Sequence, residues 1–203
     1  MIDFITFCDY TGTFAFAISG IRLASAKQFD WFGAYVVGVV TAVGGGTIRD
    51  ILLNATPFWM EKAYYLIISA LALLFVIIFR KYVISLNNTF FIFDAIGLGL
   101  FGVVGIEKAL TFGFPMWVAI VMGTITGAFG GMIRDILINE VPLIFRKDIE
   151  ALACVFGGII YYACLQMGIG PSLTQLIAAT GIFVSRIVAV KYHISVPVLK
   201  GEE

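Results

Sequence analysis

The chain has 203 residues, 61% of them hydrophobic and 13% charged, with a mean hydropathy of +1.02. Soluble domains carry about 25% charged residues, so a soluble globular protein is excluded. The 13 basic residues balance the 13 acidic ones, which leaves no electrostatic footprint for nucleic acid. What remains is an all-α integral membrane protein.

Seven transmembrane helices are predicted, at approximately 3–26, 31–56, 61–79, 90–112, 115–140, 149–168 and 172–191. A span needs about 20 residues to cross the hydrocarbon. The first begins Met1-Ile2-Asp3 with no basic region, and Ala24-Ser25-Ala26 near its end resembles a leader-cleavage site. It reads as a retained helix, because cleavage would destroy an internal repeat. The second span carries Gly44-Gly45-Gly46-Thr47-Ile48-Arg49-Asp50-Ile51-Leu52-Leu53-Asn54, and the fifth carries Phe129-Gly130-Gly131-Met132-Ile133-Arg134-Asp135-Ile136-Leu137-Ile138-Asn139. The offset of 85 residues also takes Asp9 to Asp94, Gly20 to Gly105, Gly38 to Gly123, Thr41 to Thr126 and Pro57 to Pro142.

The repeats run over about 3–82 and 88–168, within one membrane domain covering 1–203, and the seventh helix at about 172–191 stands outside them. Each repeat holds three spans. Three is odd, so the second copy enters from the opposite side and the two are inverted. Lys27, Arg80, Lys81, Arg146, Lys147, Lys191 and Lys200 bias one face, against mainly Lys62 and Lys108 on the other. The positive-inside rule then puts the C-terminus in the cytoplasm and the N-terminus outside, in the cell (inner) membrane. Trp31, Trp59, Trp117, Tyr64 and Tyr65 fall near span ends, where interfacial aromatics belong.

Gly44, Gly45 and Gly46 fall inside the membrane past its middle, as do Gly130 and Gly131. Two readings stand for them. The helices break there and line a wet pathway, or the glycines let two helices pack closely. Symmetric placement, each time before an Arg-Asp pair, favours the pathway. Intramembrane charges usually face a partner or water. Asp9 shares a membrane side with Arg49, and Asp94 with Arg134, so one charge cluster is expected on each side. Adjacent helical residues point about 100° apart, so Arg49 and Asp50, like Arg134 and Asp135, are expected to pair with other helices rather than with each other. The alternative is a set of interfacial helix-end salt bridges. Thr41 and Thr126 either coordinate an ion or bond back to their own helix. Asn54, Asn139, Pro57 and Pro142 read as helix-terminating punctuation.

Gly97-Leu98-Gly99-Leu100-Phe101-Gly102 matches G-x-G-x-x-G, but inside an apolar helix it reads as a small-residue packing face, not a dinucleotide site. Glu107-Lys108 reads as an interfacial cap. Cys8, Cys154, Cys164 and the single His193 lack metal-ligand spacing, and no nucleophile-base arrangement is evident, so no metal, cofactor or enzyme activity is expected.

The paired glycine-arginine-aspartate motifs on seven spans resemble the prokaryotic branch of the trimeric intracellular cation (TRIC) channel family. The resemblance implies two inverted three-helix repeats plus a seventh helix, a homotrimer in lipid, and one potassium-permeable pore per protomer, passing monovalent cations. On that pattern the glycine-broken second and fifth helices line the pore. Gly44, Gly45, Gly46, Arg49, Asp50, Gly130, Gly131, Arg134 and Asp135 take the motif positions. Phe129 stands where the first copy has Gly44, and the lysine-bearing motif of animal members is not evident. The competing reading is a secondary transporter of a small amino acid such as glycine, since inverted repeats with broken helices also bind zwitterions. A membrane scaffold without flux is the third.

Overall fold

The structure, a computed structural model, describes residues 4–79, 89–145, 149–192 and 194. Arg80, Lys81, Arg146, Lys147, His193 and Lys200 lie outside the described residues, so most of the expected charge bias does too. Eight α-helices are described: α1 (Phe4–Ala26), α2 (Trp31–Leu52), α3 (Phe58–Glu61), α4 (Tyr64–Ile78), α5 (Thr89–Thr111), α6 (Met116–Leu137), α7 (Glu150–Gln166) and α8 (Pro171–Lys191). A 3-10 turn at Leu143–Phe145 follows α6.

Five of these, α1, α2, α5, α6 and α8, are long and apolar enough to cross a membrane. The other two expected spans are shorter, at 15 residues for α4 and 17 for α7. They are the third helices of the two repeats, so the shortening is shared. The second and fifth spans also end earlier than expected, at Leu52 and Leu137 rather than near 56 and 140. The reason is local. Asn54 and Asn139 both take φ 55°, in the left-handed region that asparagine tolerates. The Asn54 N–H bonds to the Ile51 carbonyl at 3.0 Å and the Ala55 N–H to the Asp50 carbonyl at 2.8 Å, with the same pattern at Asn139 and Glu140. These Schellman closures satisfy carbonyls that membrane burial would otherwise strand.

The two repeats interlock. α1 packs on α2 and α4, α6 packs on α5 and α7, and α1–α5 and α2–α6 form the seam. Contacts across the seam are reciprocal under the 85-residue offset. A Cβ on Gly45 would strike the Thr126 carbonyl oxygen, and one on Gly130 the Thr41 carbonyl oxygen. Likewise Gly97 faces Phe16 while Gly12 faces Phe101. Between residues 41 and 45, α2 advances while its partners on α6 fall from 130 to 126. The helices are therefore antiparallel and the repeats inverted, related by a pseudo-twofold axis through this crossing. α8 packs on α5 and α7.

The outer surface is apolar, with Trp31 and Phe32 exposed by 72% and 74% and Trp117 by 70%. Such a face is unstable in water and suits lipid or another subunit. Trp31 and Trp117 sit in the first turns of α2 and α6, where an interfacial indole belongs.

Candidate functional site

Helical hydrogen bonding runs uninterrupted through Gly44, Gly45 and Gly46, and through Gly130 and Gly131. The expected breaks in the second and fifth helices are therefore not unwound segments. The glycines let α2 and α6 meet backbone to backbone instead. Gly46 faces the Phe58 ring, with a Cβ placed 2.5 Å from its edge, and Gly131 faces Arg134 Nη2 and Glu150 Oε1, each 3.4 Å from such a Cβ. Thr41 and Thr126 bond back to their own helix. Their hydroxyls donate to the carbonyls of Val37 at 2.7 Å and Met122 at 2.6 Å.

The motif charges form two clusters at opposite ends of the bundle, labelled inner and outer after the orientation expected from the charge bias. In the inner cluster, Arg134 is buried and donates to Asp94 through Nη1, as expected from their shared side. The same nitrogen donates to Ser19 Oγ at 2.8 Å, which ties α1 into the cluster. Arg134 Nε also reaches Asp135 Oδ1 at 2.9 Å. In the outer cluster, Arg49 Nε meets Asp50 Oδ1 at 2.7 Å. Neighbours on the helix thus do pair, against expectation, because the arginine arm is long enough to fold back over the 100° between them.

Asp50 and Asp135 share a second role. Asp50 Oδ2 accepts the Phe58 N–H at 2.9 Å, and Asp135 Oδ2 accepts the Leu143 N–H at 3.0 Å. Each aspartate therefore anchors the segment that follows its helix.

Four side chains make the two ends unequal. Asp9, expected opposite Arg49, is taken by the Tyr65 hydroxyl. Lys108 Nζ lies 2.8 Å from Asp50 Oδ1 and supplies a second cation there. Ser19, on the inner arginine, is matched by apolar Val104 at the outer end. Glu107 accepts the Tyr161 hydroxyl, and Gln175 Nε2 at 2.5 Å, which joins α5 to α7 and α8. Sequence reasoning named Asp9 but not its partner here; it gave Tyr65, Glu107 and Lys108 an interfacial role and missed Ser19 and Gln175, because the repeat does not duplicate them.

Each cluster opens on a cavity. The outer one, about 510 Å³, is lined by residues including Asp9, Arg49, Tyr65, Glu107, Lys108 and Gln175. The inner one, about 280 Å³, includes Lys27, Arg134, Asp135 and Glu140. At its rim Lys27 Nζ pairs with Glu140 at 2.6 Å.

An inverted-repeat helical membrane protein with a charged cavity at each end defines the class. A family model described as "Glycine transporter" matches residues 6–81 and again 91–166. A Vibrio cholerae protein named "UPF0126 membrane protein" is 40% identical over 191 residues, covering 93% of this chain and 80% of the relative. The Escherichia coli inner membrane protein YadS is 36% identical over 198 residues, covering 96% of each. A crystal structure of the TRIC trimeric intracellular cation channel orthologue from Rhodobacter sphaeroides is 35% identical, with a TM-score of 0.87 over 93% of this chain and 98% of that one. A prokaryotic TRIC channel crystallised in 0.5 M KCl is 33% identical with a TM-score of 0.85, covering 95% of this chain and 98% of that one. The chain belongs to the family of that sequence model and, by sequence and fold together, to the prokaryotic branch of the TRIC family.

Proposed function

We propose that the protein is a monovalent cation channel, potassium-permeable, acting as a homotrimer in the inner membrane with one pore per protomer. The match to solved TRIC channels over nearly the whole chain carries the reading. The path runs from the outer vestibule, beside the α2–α6 crossing, to the inner one. Gly44, Gly45, Gly46, Thr41, Gly130, Gly131 and Thr126 set its central constriction. Asp9, Asp50, Asp94 and Asp135 offset the arginines along it, and Arg49 and Arg134 act as gates whose release lets a cation pass. The N-terminus faces outside and the C-terminus the cytoplasm. No cofactor takes part.

Two observations favour a second reading, a secondary transporter of a small amino acid such as glycine. The family model carries that description, and the outer cavity mixes acids (Asp9, Glu107) with bases (Arg49, Lys108), which suits a zwitterion. Potassium flux into liposomes holding the purified protein separates the two. Passive, non-saturating flux that rises on Arg49→Ala is expected. Flux equal to that of empty liposomes refutes the channel.

A further inference from the structure

α8 lies outside the repeats, yet it delivers Arg186 into the buried interior. Among the described residues, all three guanidinium nitrogens of Arg186 lack a hydrogen-bond partner, as do Arg134 Nη2 and Asp94 Oδ2. A buried guanidinium without a partner is costly, and more so at membrane depth. Arg186 stacks over the Phe91 ring, 4.9 Å from its centroid. Phe91 and Asp94 are three residues apart on α5 and share a face. The free carboxylate oxygen of Asp94 thus belongs to the same face as the platform under Arg186. Glu150, buried on α7, is within electrostatic reach of both arginines and of Asp94.

The outer half of the molecule displays the alternative arrangement. Asp9, the counterpart of Asp94, has gone to the Tyr65 hydroxyl, while Asp50 is the one carboxylate paired with Arg49 among the described residues. The residue 85 positions after Tyr65 is Glu150, so the tyrosine hydroxyl that takes Asp9 has no repeat counterpart. At the inner end the competing donor comes instead from α8.

We propose that Asp94 exchanges between two arginines, Arg134 on α6 and Arg186 on α8, and that Arg186 is a positioning residue of the inner gate. In the exchanged arrangement Arg134 keeps Asp135, so no charge is stranded. Arg134 is then no longer held to Asp94 on α5 and keeps only the weaker, neutral Ser19 tie to α1, which loosens α6 at the inner vestibule. Two buried arrangements with equal numbers of ion pairs make a bistable element. The proposal rests on the channel reading for its effect on current.

Two measurements test it, single-channel recording and a thermal-unfolding cycle that needs no current. Arg186→Met removes the competitor. Its open probability is expected to fall about tenfold or more, the scale of one charged hydrogen bond, with unitary conductance unchanged and Arg186→Lys intermediate. An unchanged open probability, or a reduced unitary conductance instead, overturns the proposal. Thermal unfolding of wild type, Asp94→Asn, Arg186→Met and the double variant is expected to be non-additive. Additive shifts overturn the exchange whether or not wild type conducts. A silent wild type with non-additive unfolding refutes the channel reading and keeps the exchange.

Discussion

Alanine substitution along the glycine cluster separates close packing from flexibility. A Cβ on Gly45 meets the Thr126 carbonyl oxygen and, at 3.0 Å, its carbon, which are backbone atoms that cannot rotate away. A Cβ on Gly44 meets Ile133 Cδ1 at 3.1 Å, the flexible tip of a side chain. Overpacking against a rigid wall costs about 1–3 kcal/mol, while replacing a helical glycine with alanine returns about 0.5–1 kcal/mol. Gly45→Ala should therefore lose about 1–2 kcal/mol net, which is roughly 2–8 °C in Tm for a chain of this size. Gly44→Ala should stay within about 0.5 kcal/mol of wild type, since its overpacking and helix terms nearly cancel. Gly130→Ala should match Gly45→Ala, being its twofold counterpart. The Gly45→Ala/Gly130→Ala double variant should lose less than the sum, because one separation of α2 from α6 relieves both clashes. Thermal unfolding of the purified proteins in detergent reads all four. If Gly44→Ala falls as far as Gly45→Ala, the glycines supply backbone freedom and the close-approach argument is wrong.

Asp50→Asn should cost about 3–5 kcal/mol in the same assay, because it strips a buried carboxylate from Arg49 and Lys108. Lys27→Gln should cost under about 1 kcal/mol and lose even that in high salt, since its pair with Glu140 is 41% exposed on each side. A cysteine at Gln28 should react with an impermeant maleimide from the cytoplasm, and one at Ser172 from outside. The native Cys8, Cys154 and Cys164 are buried and give a low background. The reverse labelling would invert the orientation.

What the sequence made legible was what the repeat duplicates. The 85-residue offset located both motifs, the inverted relation and the inner Asp94–Arg134 pair, because each signal appears twice. Helix ends were punctuated by Asn54 and Asn139, and the chain stops its helices there. The glycines were harder. A sequence does not distinguish a hinge from a close approach until the atom opposite is known, and opposite Gly45 stands a backbone carbonyl. Residues carried by one copy alone, or by α8 outside the repeats, showed no functional role in the sequence. Tyr65, Lys108, Ser19 and Arg186 each alter one end of the molecule, and periodicity carries no trace of them. The self-pairing of Arg49 with Asp50 depends on the length of the arginine arm, which the helical angle between neighbours does not carry.

The most direct test of the account is a planar-bilayer recording of the purified protein across asymmetric KCl. Discrete unitary steps that reverse near the potassium equilibrium potential, with gating altered by Arg49→Ala and Arg134→Ala, are predicted. Silence in repeated fusions, together with saturable glycine uptake by liposomes of the same preparation, would contradict it.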